Sequence, residues 1–63
     1  MRRYYFTLVT STRYVVNASH AMLDDDRQAE VFARRALDAA NPSFVAVEAW
    51  ERARLVCRLP REH

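Results

Sequence analysis

The chain has no glycine, no lysine and a single cysteine in its 63 residues. Without glycine, a tight turn between two strands must either widen or place Asn, Asp or Ser in left-handed backbone geometry. The one thiol, Cys57, excludes an internal disulfide and is typical of a reducing compartment. Together with two histidines it also provides too few ligands for a closed zinc site. The usual covalent and metal supports of a small domain are therefore missing.

Long apolar runs are absent as well. No segment approaches the roughly 20 apolar residues that a membrane-spanning helix needs. The apolar segment that follows the basic start, residues 4–9, is too short for the core of a signal peptide. We therefore expect a cytoplasmic protein.

Sixty-three residues allow one domain, residues 1–63. A chain of this length buries only about 60% of the surface that its unfolded form exposes, so its core is marginal. Domains this small usually gain stability from disulfides, a metal or a partner chain. Because the first two are excluded, we expect either a homo-oligomer, most simply a dimer, or an unidentified protein partner, and we favour the dimer.

Alternating apolar and polar residues in four short segments indicate β-strands. The predicted strands cover residues 4–10, 13–17, 43–50 and 54–59, and residues 17–21 are predicted to form a loop. The segments lie in pairs on either side of a helical pattern. The sequence therefore predicts an α+β fold of order ββαββ, in which one helix packs on one face of a four-stranded antiparallel sheet.

Residues 23–42 carry the helical pattern, with alanines at the spacing of one helix face. Asp24 or Asp25 is the predicted N-cap, because a carboxylate there accepts hydrogen bonds from free amides of the first turn. Asn41 and Pro42 end the helix, since proline cannot continue its hydrogen bonds. The three consecutive aspartates are interpreted as capping residues, because calcium loops need alternating ligands and a glycine.

Both faces of the strands carry apolar side chains, so one helix leaves an apolar face uncovered. The residues predicted to lie under the helix are Phe6, Leu8, Leu55, Cys57 and Leu59. The residues predicted on the other face are Tyr5, Val9, Val45, Val47, Ala49 and Val56. Exposed apolar patches mark interaction surfaces, and the candidate interface comprises Tyr5, Val9, Val45, Val47 and Val56.

No catalytic arrangement is visible. His20 lies in the predicted loop, and no serine or cysteine nucleophile accompanies it in a recognisable motif. Cys57 alternates with Leu55 and Leu59, which indicates a buried structural thiol. We therefore expect no catalytic, metal or cofactor site.

The arginines allow an alternative. The chain carries a net charge of +2, and the strands hold most of the basic excess. Arginines interleave with aromatic residues near the start of the chain, as they do on sheets that bind single-stranded nucleic acid. The candidate nucleic-acid contacts are Arg2, Arg3, Arg13, Arg54 and Arg58. The spacing matches no RNA-binding signature, so core aromatics with flanking solubilising arginines are the competing interpretation.

Residues 1–6 (Met-Arg-Arg-Tyr-Tyr-Phe) resemble the start of a family of short bacterial proteins of unknown function, which begin Met-Pro-Arg-Tyr-aromatic-Phe. The likeness continues at residues 23–25, where the family has Leu-Pro-Asp, and over residues 47–60, where a strand, a turn and a second strand close in Leu-Pro. The chain differs at Arg2, where proline is usual, and at both turns, where Asp-Gly or Glu-Gly is usual. The resemblance implies a ββαββ domain and brings no known activity.

Three functional hypotheses follow. The first is a non-enzymatic interaction module that self-associates through the uncovered sheet face or an edge strand. The second is a nucleic-acid-binding or regulatory protein that uses the strand arginines. The third is a small inhibitor, encoded by a phage or mobile element, that binds a host protein.

Overall fold

The computed structural model describes residues 1–61 and confirms the predicted α+β fold. Two strands, β1 (Arg2–Thr10) and β2 (Val15–Leu23), precede a helix, α1 (Asp26–Ala39). Two more strands, β3 (Phe44–Glu51) and β4 (Arg54–Pro60), follow it. The observed order ββαββ is the predicted one.

The four strands form one antiparallel sheet in the order β2-β1-β3-β4. β1 and β3 are therefore central, and β2 and β4 are the edges. The helix leaves edge strand β2 and returns the chain to β3, which runs parallel to β2 with β1 between them. It packs chiefly on β3 and β4, so β2 receives little cover from it.

The core lies between the helix and one sheet face. On the sheet side it consists of alternate residues of the two central strands, namely Tyr4, Phe6, Leu8, Val47 and Ala49. On the helix side it consists of Ala29, Ala33 and Leu37, which are spaced one turn apart. The two alanines let the helix lie close to the sheet, because they add little side-chain bulk between the two layers.

Residues at both helix ends explain its boundaries. Asp25 is the N-cap, and its Oδ1 accepts a hydrogen bond from the Gln28 amide at 2.9 Å. The Gln28 side chain accepts a second hydrogen bond, at 2.9 Å, from the amide of Asp24, the residue before the cap. The helix ends at Ala39, before Asn41 and Pro42. The helix and the Asp25 cap predicted from sequence are confirmed, with narrower bounds.

The second strand differs from its prediction. Residues 17–21 belong to β2, not to a loop, and β2 extends to Leu23. The polar residues Asn17, Ser19 and His20 need no burial there, since β2 is an edge strand held by its pairing with β1. A β-bulge at Ala18, where the register shifts, absorbs the broken alternation.

Arginines take the turn positions that glycine would favour. Arg13 has φ 68° and Arg52 has φ 55°, both in the left-handed region. Arg13 is the third residue of the four-residue β1–β2 connection, in which its amide donates to the Thr10 carbonyl at 3.0 Å. Arg52 opens the two-residue β3–β4 connection. The expected wider turn is found in the β1–β2 connection. The alternative, Asn, Asp or Ser in left-handed geometry, is wrong, because arginine occupies both positions.

Two face assignments also need correction. Val47 and Ala49 lie under the helix and are fully buried, not on the uncovered face. On β4, a bulge between the pairs Ala49–Cys57 and Trp50–Leu55 reverses the alternation. Leu55 is consequently exposed beside Trp50, whereas Val56 packs against the core.

Candidate functional site

The sheet face opposite the helix, which we call the open face, is built from three cross-strand rows. Directly paired residues point to the same side of a sheet, so the strand register defines each row. In the order β2, β1, β3, β4, the rows are His20, Tyr5, Trp50, Leu55; then Asn17, Thr7, Glu48, Arg58; then Val15, Val9, Ala46, Pro60.

The first row brings three rings together on neighbouring strands. Tyr5 is 42% exposed, and its ring centroid lies 6.2 Å from that of His20, with the planes tilted by 44°. Trp50, the partner of Tyr5 on β3, is half-buried. We call His20, Tyr5 and Trp50 the aromatic row. The sequence pattern did not indicate this grouping, because it depends on the register of three strands.

In the middle row, the charges of Glu48 and Arg58 neutralise each other. Arg58 Nη1 donates to Glu48 Oε2 at 2.8 Å, and Thr7 Oγ1 lies 3.4 Å from Glu48 Oε1. Arg58, a predicted nucleic-acid contact, is therefore held by a carboxylate. The central charge of Glu48 also marks this side of β3 as the solvent side.

An ion-pair network lies on the other face, where the start of β1 meets the start of the helix. Arg2 forms a bidentate pair with Glu51, with distances of 2.7 and 2.6 Å. Arg54 binds the same Glu51 at 2.7 Å and both oxygens of Asp26 at 2.9 and 3.0 Å. The buried Tyr4 completes the network by donating its hydroxyl to Asp26 at 2.8 Å. Asp26 is thus a network residue rather than the cap.

The network shifts the pKa values of its members. Hydrogen bonds from Arg54 and then Tyr4 lower the pKa of Asp26 to about 2. Hydrogen bonds from Arg2 and then Arg54 lower the pKa of Glu51 to about 2. Burial, followed by the bond to Asp26, raises the pKa of Tyr4. The carboxylates are therefore ionised throughout the physiological range.

These shifts predict acid sensitivity. Both carboxylates have a lower pKa in the folded chain than the unfolded values of about 4. Their stabilising contribution is present above that pH and is lost as the pH falls toward 2. We expect the urea midpoint of unfolding to fall across this window, and the double change Asp26→Asn with Glu51→Gln to flatten the slope.

Asp38→Asn is the control for this measurement, because Asp38 lies at an exposed helix position outside the network. It should keep the wild-type slope between pH 4 and 2, because the network carboxylates remain in place. Equal slopes in the double variant and the wild type would show that the network contributes nothing. High salt should reduce the effect, since the paired side chains are partly exposed.

A basic groove of about 990 Å³ lies beside the aromatic row, at the end of the sheet that holds the β3–β4 turn. Arg3 and Arg52 line it together with Tyr5 and Met22. Within residues 1–61, the side chain of neither Arg3 nor Arg52 forms a hydrogen bond or an ion pair. Their charges are therefore available, in contrast to those of Arg2 and Arg54 in the same wall.

The free edge of β2 is the second candidate surface. The strand has nine residues and contains no arginine, aspartate, glutamate or proline. Seven of its nine residues are exposed, including Val15, Val16 and Met22. The other edge, β4, differs in carrying Arg54, Arg58 and Pro60.

The five predicted interface residues do not form one surface. Tyr5 is exposed on the open face, and Val45 is exposed at the bulge between β1 and β3. Val9 lies on the open face but is only 4% exposed. Val47 is buried under the helix and Val56 packs against the core, so neither presents an apolar surface.

The predicted nucleic-acid contacts are also divided. Arg2 and Arg54 belong to the network, and Arg58 is bound to Glu48. Arg13 lies in the β1–β2 turn, at the opposite end of the sheet from Arg3. Three of the set, Arg2, Arg3 and Arg54, line the basic groove. Of these, only Arg3 has a side chain that no carboxylate binds within residues 1–61, and the unpredicted Arg52 accompanies it there.

The Cys57 thiol and the possible metal ligands of residues 1–61 are the remaining groups of chemical interest. Burial raises the pKa of the Cys57 thiol, which makes it a poorer nucleophile. Among residues 1–61, no group of three His, Cys, Asp or Glu side chains is placed to hold a metal ion. Within residues 1–61, no helix is long and apolar enough to cross a membrane.

Fold and site together define a small ββαββ domain with an uncovered sheet face and an uncovered edge strand. Comparison with protein families, curated proteins and solved structures found no match for this chain.

Proposed function

We propose that this protein is a non-enzymatic interaction module that forms a homodimer by pairing the β2 edges of two copies. The two sheets would join across a two-fold axis as one antiparallel sheet of eight strands. The observation that carries the proposal is the unprotected state of β2. The lone thiol Cys57 fits a reducing, cytoplasmic location for such a dimer.

An edge strand presents a row of unpaired amides and carbonyls that can pair with another strand. Monomeric proteins block such rows with short strands, charges, proline or cover from another element. β2 has nine residues without a formal charge or proline, and the helix packs on the far side of the sheet. The one feature of β2 that hinders edge pairing is the bulge at Ala18. The edge β4 is guarded by Arg54, Arg58 and Pro60, which favours pairing through β2 alone.

The backbone alternation identifies the groups available for pairing. Thr10 donates to the Tyr14 carbonyl at 2.9 Å, so this pair is hydrogen-bonded across the hairpin. In an antiparallel ladder, hydrogen-bonded and non-hydrogen-bonded pairs alternate, so Val9–Val15 is not hydrogen-bonded and Leu8–Val16 is. Val15 and Asn17 therefore direct their backbone groups to the free edge, whereas Val16 directs its groups to β1.

A second copy is a suitable occupant because the strand is self-complementary. Antiparallel pairing around a two-fold axis places the same patch on both partners. Val15, Val16 and Met22 would lose exposed apolar surface in the process. A strand without formal charge meets no like-charge repulsion from its own copy. Dimerisation would also supply the stability that a domain of this length usually lacks.

The test is the mass in solution, measured by light scattering after size-exclusion chromatography. The wild type should elute at twice the monomer mass of 7.4 kDa. Val16→Lys places a charge on the edge and should produce a monomer. Val31→Lys is the matched control, since Val31 is 50% exposed on the helix and Val16 is 46% exposed on β2. This control should remain dimeric.

A second variant separates pairing from side-chain effects. Asn17→Pro removes a backbone donor that faces the free edge, a position at which edge strands accept proline. It should also be monomeric while retaining the far-ultraviolet circular dichroism spectrum of the wild type. A monomeric wild type would refute the proposal, as would dimers that persist in both Val16→Lys and Asn17→Pro.

A further inference from the structure

We propose that the aromatic row and the basic groove together bind single-stranded nucleic acid, with bases stacked on the rings and phosphates held by Arg3 and Arg52. The site includes His20 and Met22 of β2. Pairing of two β2 strands uses their backbone edge and leaves the open face uncovered, so the two proposals are compatible. The site differs from the arginine set expected from sequence, since only Arg3 is common to both.

The aromatic row has the arrangement that stacking requires. His20, Tyr5 and Trp50 lie side by side on adjacent strands, on the face that the helix does not cover. Tyr5 stands between two hollows: the basic groove of about 990 Å³, and a smaller one of about 380 Å³ that Asn17, Ser19 and His20 line. Bases can therefore approach its ring from two sides. Four-stranded sheets that bind RNA use central-strand aromatics in the same way.

The charges are placed where the backbone of such a strand would run. Arg3 and Arg52 line the groove next to Tyr5, and neither is bound to a carboxylate within residues 1–61. The acidic residue of the groove wall, Glu51, already forms ion pairs with Arg2 and Arg54. The free guanidinium groups thus favour an anionic ligand over a basic or neutral one.

Backbone geometry adds an independent observation. Arg52 adopts φ 55° in a two-residue turn, a conformation that glycine adopts without steric cost. Strained backbone positions of this kind cluster at functional sites. Arg52 lines the groove from this position, where glycine would give the more stable turn. Arg13 has the same geometry but lies at the opposite end of the sheet, away from the aromatic row.

Single strands fit this surface better than a duplex. Rings on an open sheet can stack only on bases that are already unstacked, as they are in single strands. Three rings on three strands span two or three nucleotides, by analogy with other stacking sheets. Because only two free arginines contribute, we expect binding that weakens gently as salt rises.

The experiment is fluorescence anisotropy with labelled oligothymidylate and oligouridylate at low salt, with an unlabelled duplex of equal length as competitor. The wild type should bind the single strands, and the duplex should compete weakly. Tyr5→Ala should weaken binding by roughly ten-fold or more, the usual effect of losing one stacked ring. Tyr5→Phe keeps the ring and should bind like the wild type.

Arg52→Gly and Arg13→Gly form a matched pair, because each removes one positive charge and relieves one left-handed position. Arg52→Gly should weaken binding and reduce the slope of log affinity against log salt by about 0.7, as expected for one lost phosphate contact. Arg13→Gly should change neither. Both variants remain folded on the reasoning above, so a loss specific to Arg52→Gly cannot arise from unfolding.

Three results would overturn the inference. The first is a wild type that binds neither oligonucleotide at low salt. The second is Tyr5→Ala that retains wild-type affinity, which would show attraction by charge alone. The third is an equal loss in Arg52→Gly and Arg13→Gly. The oligomeric state is measured separately, on Val16→Lys. A negative binding result therefore leaves the dimer proposal unaffected, and a monomeric wild type leaves the nucleic-acid proposal unaffected.

Discussion

Phe6→Ala is expected to leave the chain unfolded at room temperature. Phe6 is fully buried, and its ring lies 4.5 Å from that of Phe32, between centroids. Truncating a buried phenylalanine to alanine costs about 3–5 kcal/mol, from lost transfer energy and the cavity left behind. A core of this size supplies roughly 3–5 kcal/mol of net stability in total. The loss is therefore comparable with the whole stability of the domain.

Circular dichroism and urea unfolding check this expectation. Tyr5→Ala is the matched control, because Tyr5 is the next residue of the same strand and points to the open face. Most surface substitutions change stability by less than about 0.5 kcal/mol, so this variant should stay folded. Phe6→Leu should also fold, with reduced stability. A cooperative unfolding transition in Phe6→Ala at the wild-type midpoint would show that the core is not where the structure places it.

Arg13→Gly is expected to stabilise the chain by about 1 kcal/mol. Left-handed geometry costs a residue with a Cβ atom roughly 1–2 kcal/mol, and glycine avoids most of that cost. The greater freedom of glycine in the unfolded chain offsets part of the gain. Arg13 forms no ion pair within residues 1–61, so its side chain contributes little that glycine would lose. For a domain of this size the melting temperature should rise by about 4–8 °C.

Arg13→Ala distinguishes backbone relief from loss of charge, because alanine removes the guanidinium and keeps the Cβ atom. It should show no rise in melting temperature. The gains of Arg13→Gly and Arg52→Gly should add, since the two turns lie at opposite ends of the sheet. If glycine and alanine have equal effects at position 13, the left-handed geometry carries no strain.

Local patterns were sufficient to predict the helix and the order of the strands. The alanine spacing, the aspartates and Pro42 act within a few residues of one another, so the helix and its Asp25 cap follow from the sequence. The strand pairs likewise follow from alternation and short connections. These elements agree with the structure because their causes are local.

The faces of the strands depend on longer-range features. A bulge reverses alternation without leaving a clear mark in the sequence, and so Leu55 and Val56 exchange their predicted faces. For β3, the sequence does indicate which side chains face solvent, because the charge of Glu48 in mid-strand marks the solvent side. Glu48 was a better guide than the valines, which suit either face. β2 was harder to recognise, since an edge strand needs no buried residues.

The network and the groove could not be predicted from sequence. Arg2 and Glu51 are 49 residues apart and meet only because β1 and β3 are neighbours in the sheet. The same adjacency places Tyr5 beside Trp50 and Arg52 near Arg3. A list of strand arginines could not tell those bound to carboxylates from those left free. That distinction separates Arg3, Arg13 and Arg52 from the arginines that bind carboxylates within residues 1–61, and of these three only Arg3 and Arg52 line the groove.

The most direct test of β2 pairing is amide hydrogen exchange followed by NMR at high and low protein concentration. The amides of Val15 and Asn17 face the free edge, whereas that of Val16 faces β1 and serves as an internal control. Pairing of two β2 strands predicts that Val15 and Asn17 become protected as the concentration rises, while Val16 is protected throughout. Rapid exchange at Val15 and Asn17 at every concentration, with Val16 protected, would contradict the dimer.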